Sequence, residues 1–296
     1  MQNTNMDNHF QHILITRFNV KATRITKDKN QKPVLTDDWM KKRLKLFSNY
    51  CLPSIANQTC KNFKWLIYFD SETKPEYKQK LAELHQQFPI FYSKYVIDAY
   101  QLFDHLKTDV LSFTDQNTKF LITTRLDNDD ALHKEAIARI QKEFSSVLNS
   151  NNNTSLSKSA DLNGKKILIN LKNGFCLKIE PRYELTHYSH SSNPFISMIE
   201  ILEGNQKIST VLSEWHDNFL NQKDKYKVVQ INDGHYWMQI IHSSNVVNNV
   251  TGWPFMRVDV VSDFGLEPSS ISFNRTDYTG SFMRKLWQSF RRRLNY

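Results

Sequence analysis

The stretch Phe120 to Asp130, FLITTRLDNDD, decides how the rest of the chain is read. Phe120 to Thr124 (FLITT) is a short apolar strand, and Arg125, Leu126, Asp127, Asn128, Asp129 and Asp130 follow it without a break. Carboxylates crowded into one turn repel one another unless a cation or a basic group neutralises them. In extended or turn geometry residues two apart can point the same way, so Asp127 and Asp129 are expected to face one ion while Asp130 caps the next helix. Oxygen ligands suit Mg2+ or Mn2+, and a two-carboxylate site leaves coordination positions for a diphosphate. Arg125 can neutralise phosphate or the cluster itself. The plainer reading is a set of acids that cap a helix and solvate a loop.

Outward from this turn, helical periodicity resumes at Leu132 and runs to about Phe144. Three earlier strands share the design of an apolar run ending in polar groups: His12–Phe18, Phe63–Phe69 and Phe91–Ile97. Between them lie helical patterns from Asp37, where Asp37 or Asp38 can cap and Pro53 interrupts, over Pro75–Phe88, and over Tyr100–Phe113. Strand and helix thus alternate, which predicts an α/β fold with a mostly parallel central sheet flanked by helices, binding its ligand beyond the strand C-termini. Thr16, Arg17, Phe18 and Asn19 at the end of the first strand offer hydroxyl, guanidinium, aromatic face and amide for a nucleotide base and its phosphates. Asp70 and Ser71 can hold a ribose or a uracil-like edge; loop capping is the alternative.

After the acidic turn the pattern changes. Ser145 to Gly164 is rich in Ser and Asn and reads as a polar insertion loop. Lys166–Asn170 and Gly174–Ile179 read as two strands around an Asn173-Gly174 turn, Phe195–Leu202 as a helix, and Tyr236–His242 as a late strand ending in histidine. Mixed strands and helices therefore complete the fold. The division expected is one domain over 10–264, with a nucleotide-binding half at 10–144, the insertion at 145–164 and a second half at 165–264, then a basic amphipathic extension at 265–296.

Composition narrows the classes. The 296 residues are 40% hydrophobic and 23% charged with a net charge of +9, which excludes wholesale disorder and favours anionic partners. Seven glycines leave no glycine-rich phosphate loop. Cys51, Cys60 and Cys176 form no metal-binding pair, and their odd number points to a reducing, cytoplasmic setting. No stretch approaches the ~20 apolar residues that span a bilayer. Phe282 to Tyr296, with Arg284, Lys285 and Arg291–Arg293 around apolar positions, fits a helix lying on an anionic membrane surface; packing back on the domain is the alternative.

The strand-and-helix half ending in an Asp-x-Asp turn resembles the GT-A fold of nucleotide-sugar glycosyltransferases. The ordered set Thr16-Arg17-Phe18-Asn19, Pro53-Ser54-Ile55 with Gln58, Asn62-Phe63-Lys64-Trp65, Thr124 to Asp130, Asn193-Pro194-Phe195 and Gln239-Ile240-Ile241-His242 with Asn245 is similar, over about residues 10 to 250, to the bacterial rhamnosyltransferase family. That resemblance implies transfer of a sugar from a nucleoside-diphosphate donor to a saccharide or lipid-linked saccharide acceptor, with Mn2+ or Mg2+ as cofactor. It makes Asp129 the direct metal ligand, sets Asp127 at the ribose or sugar, and gives His242 a late metal or diphosphate contact. An inverting transferase needs a general base. Glu200, on the helix expected after Asn193-Pro194-Phe195, is the first candidate, with Asp217 and Glu214 as rivals. Two other classes compete: a metal-dependent nuclease or nucleic-acid-binding protein, for which no base-reading motif is present, and a noncatalytic saccharide-binding protein.

Overall fold

The computed structural model describes residues 10–22, 26–150, 166–202, 208–245 and 249–271, with a few positions between 279 and 290. Four strands build its parallel half: β1 (Phe10–Arg17), β2 (Lys64–Asp70), β3 (Phe91–Val96) and β4 (Phe120–Arg125), in the order β3-β2-β1-β4, each parallel to its neighbour. Their side chains alternate between two buried faces. Leu14, Trp65, Ile67 and Phe69 join one core, and Ile13, Ile15, Leu66 and Tyr68 join the other. Burial on both faces is why these strands read as continuous apolar runs.

The first face is covered by α1 (Asp37–Leu46), α2 (Leu52–Ala56), α3 (Pro75–Gln87) and α5 (Ala136–Ser150), and the second by α4 (Ala99–Leu111). Thr36, not Asp37 or Asp38, caps α1 by accepting the Trp39 amide at 3.2 Å. Pro53 does not interrupt the helical path. A wider turn at Phe47–Cys51 leads into α2, where the proline occupies the first turn, a place that tolerates a missing N–H.

The acidic turn does not open directly into a helix. Ala131–Leu132 form a short strand, β5, and α5 begins only at Ala136, so Asp130 is no cap. The helix then runs to Ser150, past the expected end at Phe144; residues 151–165, most of the expected insertion, lie outside the described residues.

The sheet continues into β6 (Lys166–Lys178), β7 (Glu184–Ser189), β8 (Ser197–Ile201), β9 (Tyr226–Ile241) and β10 (Trp253–Pro254). Here the expectation of a mostly parallel sheet is corrected. β8 is antiparallel to β4 and β6, β7 is antiparallel to β6, and only β9 runs parallel to β6. The short link between β6 and β7 forces their antiparallel return, since a parallel return needs a long crossover. β6 is also one strand rather than two: its ladder with β9 shifts register around Asn173 and Gly174 instead of turning. Gly174 is there because the Trp237 ring packs on it, and a Cβ would stand 2.1 Å from that ring.

The expected helix over Phe195–Leu202 is β8, whose isoleucines favour a strand. β7 and β8 pair with successive parts of β6. The connection between them, residues 190–196, is fastened to the middle of β6, where Asn193 Nδ2 donates to the Leu171 carbonyl at 2.6 Å, and it ends beside β4, where the Arg125 amide donates to the Ile196 carbonyl at 3.3 Å. No helix among the described residues is long and apolar enough to cross a membrane. Of the C-terminal extension, the described Phe282, Met283, Leu286, Trp287 and Phe290 are exposed, while Arg284 and Arg291–Arg293 lie outside the described residues.

Candidate functional site

Because Ile15 of β1 is paired with Arg125 of β4, the two chains leave the sheet side by side. Asn128 fastens them: its Nδ2 donates to the Phe18 carbonyl at 2.8 Å and the Arg17 carbonyl at 3.3 Å, and its Oδ1 accepts from Arg43 Nη1 at 3.1 Å. Beyond these strand ends lies a cavity of about 690 Å3, walled on one side by Arg17, Phe18, Arg43, Arg125 and the acidic turn, and on the other by Tyr188, His190, Pro194, Trp215, His216 and Asp217. This volume is in the range of sites that enclose a small organic ligand.

The carboxylates of the turn have separate fates. Asp127 is held by Arg125, whose Nη2 lies 3.1 and 3.0 Å from its two oxygens. Asp129 is buried, and its Oδ2 accepts from Arg43 Nη1 at 2.5 Å, from His242 Nε2 at 2.8 Å and from Asn245 Nδ2 at 3.4 Å. Burial alone would raise its pKa, but Arg43 and the His242 contact outweigh burial and hold it down, at about 2. Asp130 is pushed the other way. It is buried beside Asp129 and Asp127, so its carboxyl is raised well above the usual range, and its Oδ1 accepts the Ile240 amide of β9 at 2.8 Å. It is a structural tie between the turn and β9.

The test for a divalent ion rests on these partners. Among the described residues no three His, Cys, Asp or Glu side chains gather as metal ligands. His242 Nδ1 accepts the Ser244 amide at 3.2 Å, while Nε2, with Asn245 Nδ2 3.1 Å away, lies 2.8 Å from the Asp129 carboxylate, which can only accept; the closer, charged partner sets the ring proton on Nε2, pointing to Asp129. Neither ring nitrogen then offers a free lone pair, and both carboxylates have arginine partners. The donor set in this arrangement does not fit a metal.

The structure brings Arg17, Phe18, Arg125, Asp127, Asp129 and Asp217 together around the cavity, and His242 behind it through Asp129. It does not bring the other expected residues there. Thr16 is buried with its hydroxyl accepting from Trp65 Nε1 at 2.9 Å. Asn19 and Asp70 brace a neighbouring loop, where Asn19 Oδ1 accepts the Asp70 amide at 3.1 Å and Lys21 pairs with Asp70 at 3.3 Å; the Ser71 carbonyl accepts Lys78 Nζ at 2.8 Å. Glu200 sits near the opposite end of β4, paired with Leu121. There it is buried and bound by Lys166 Nζ at 2.5 Å and by the Ser209 and Thr210 amides at 2.8 Å, which leaves it no role at the cavity.

Arg43 and Trp39 went unnoticed in the sequence although both line the cavity. The available signal was the helical spacing of Met40, Arg43 and Phe47, which places a charged residue on the buried face of α1. Trp39 also carries the only buried side-chain polar atom without a partner among the described residues, its indole Nε1.

A family described as "Putative rhamnosyl transferase" matches residues 11–253, which span the sheet and every wall of this cavity. The chain belongs to that family. No curated protein matches it. Among solved structures, this rhamnosyl transferase family member is similar to residues 1–349 of TarS from S. aureus at 13% identity and a TM-score of 0.40, over 78% of this chain and 60% of that one. A second TarS structure, in complex with UDP-GlcNAc, matches at 10% identity and a TM-score of 0.40, over 80% and 60%. The chain thus spans about three fifths of those TarS chains.

Proposed function

We propose that this chain transfers a sugar from a nucleoside-diphosphate donor, bound in the cavity, to a saccharide hydroxyl, with a rhamnosyl group the first sugar to test given the family's description. The observation that carries this reading is Arg17. Its guanidinium has no hydrogen-bond or ion-pair partner among the described residues, yet it lines a cavity of about 690 Å3 that is otherwise apolar or charge-paired on that wall. A part-buried guanidinium that faces an open cavity with no anion of its own favours a diphosphate as its ligand. Burial lowers the Arg17 pKa, with Arg125 adding to the effect and Asp127 opposing it.

The facing wall supplies the acceptor side. Asp217 is exposed there, 3.2 Å from His216 Nδ1, and no lysine or arginine pairs with it among the described residues. His216 is tied to the Ser192 carbonyl at 2.5 Å, and burial lowers its pKa, so the ring is neutral near pH 7. Asp217 is therefore free to receive a proton. In the step proposed, the acceptor oxygen attacks the anomeric carbon, the bond from that carbon to the diphosphate oxygen breaks, and its electron pair leaves with the nucleoside diphosphate. The hydroxyl proton passes to the Asp217 carboxylate.

A panel of nucleoside-diphosphate sugars, rhamnosyl donors included, tests the reading through nucleoside diphosphate release with and without saccharide acceptors. Release from one donor, accelerated by an acceptor, is expected. Cleavage of nucleic acid with no sugar release from any donor would replace transferase by nuclease.

A further inference from the structure

The charge balance of the cavity assigns a role to Arg43 that goes beyond the reaction proposed above, on which it rests. In a cation-assisted transferase a divalent ion bridges a carboxylate and the diphosphate, and neutralises the charge that grows on the leaving group. Here the position against Asp129 is filled by a guanidinium. Arg43 is buried in α1, with Nη1 on Asp129 Oδ2 at 2.5 Å and on Asn128 Oδ1 at 3.1 Å, and its Cζ lies 4.9 Å from the Trp39 ring centroid. A guanidinium has five N–H donors, and those of Nη1 account for only two. The donors on Nε and Nη2 have no partner among the described residues, and the residue lines the cavity.

Arg125 neutralises Asp127 in the same manner, and Arg17 lies on the same wall. The acidic turn therefore presents no uncompensated carboxylate to an incoming diphosphate. His242 offers no lone pair with which a competing ion could displace Arg43. We propose that Arg43, anchored on Asp129 and stacked on Trp39, bridges the acidic turn to the donor's diphosphate in place of a divalent cation, with Arg17 as the second contact, so that the transferase holds its donor and its leaving group without a metal.

Nucleoside diphosphates, UDP and dTDP among them, are titrated calorimetrically into the full chain in buffer with EDTA and in buffer with Mn2+. The affinity of the nucleotide that binds is expected to agree within about twofold between the two buffers. Arg43→Gln is expected to weaken it tenfold or more, with no recovery on adding Mn2+. Removing this charge strands Asp129 and can unfold the chain, so Arg43→Lys serves as the second variant: it keeps the charge, loses the fork that reaches two partners at once, and is expected to bind at least fivefold more weakly while retaining its circular dichroism spectrum. Affinity that falls tenfold in EDTA and returns with Mn2+ overturns the proposal and leaves the transferase reading standing, as does an Arg43→Lys protein that binds as tightly as the parent. Absence of binding by every nucleoside diphosphate in both buffers overturns the two together.

Discussion

The β1–β4 half and the β6–β9 half meet across one cavity, but they contribute to it in different ways. In the first, strands buried on both faces end beside an acidic turn whose carboxylates have fixed partners, Arg125 on Asp127 and Arg43 with His242 on Asp129, with Arg17, unpaired among the described residues, next to them. The second gives an open wall, where Trp215 and Asp217 are largely exposed at the start of a short helical turn between β8 and β9. Under the function proposed above, the contrast separates two tasks. A preorganised, paired wall suits a donor whose diphosphate must be held the same way each time, while an exposed wall admits an acceptor from solvent.

The largest expected difference between the halves is in stability. Asp129→Ala leaves the buried Arg43 without its anion and is expected to cost about 3–5 kcal/mol in urea denaturation. Asp217→Asn is expected to leave the urea midpoint unchanged and to slow sugar transfer by about 100-fold or more, the loss of a positioned base. If Asp217→Asn instead lowers stability and spares turnover, the division of labour between the walls is wrong. Gly174→Ala comes next. It drives a Cβ into the Trp237 ring, which is stacked on Phe195 at 5.0 Å, and is expected to destabilise by about 1–3 kcal/mol as an overpacked core does. Since Phe195 adjoins Pro194 at the cavity, this variant also tests whether the second wall depends on that stack.

The smallest effect expected is a pH dependence within the turn itself. Asp129 is held at about 2, below its unfolded value of about 3.9, so its stabilisation is complete above the unfolded value and is lost as pH falls through the folded one. Asp130 is shifted upward, so its contribution is present below the unfolded value and is lost as pH rises through the folded one. Asp130→Asn keeps an acceptor for the Ile240 amide and cannot ionise. Its melting temperature is expected to match the parent's at pH 4 and to exceed it at pH 8; a gain at pH 4 with a loss at pH 8 would reverse the assignment.

How much of this could be read from the chain divides along the same line. β1 to β4 and their helices were legible because runs such as Ile13-Leu14-Ile15 and Trp65 to Phe69 are apolar at every position, as two-sided burial requires. β8 was not. Five residues, SMIEI, carry no period, and their pairing with β4 and β6 is non-local. The error carried Glu200 with it, since a helix would have set that carboxylate on a cleft and the strand sets it against Lys166. The acidic turn was legible at the end of β4, but its neutralising partners were not. Arg43 precedes Asp129 by 86 residues, and only the packing of α1 on the ends of β1 and β4 brings the two together. Thr16 misled for a related reason: a hydroxyl at a strand end reads as a ligand contact, whereas here it serves the Trp65 indole.

The claim that the donor lies between the two halves is tested most directly by amide hydrogen exchange with and without the nucleoside-diphosphate sugar that the donor panel selects. Slowed exchange is expected on both walls at once, at residues 17–22 and 126–130 of the first half and 188–193 and 215–218 of the second, with β3 unchanged. Protection confined to one wall, or spread along β3 and α4 away from the cavity, would contradict a donor site built where the halves meet.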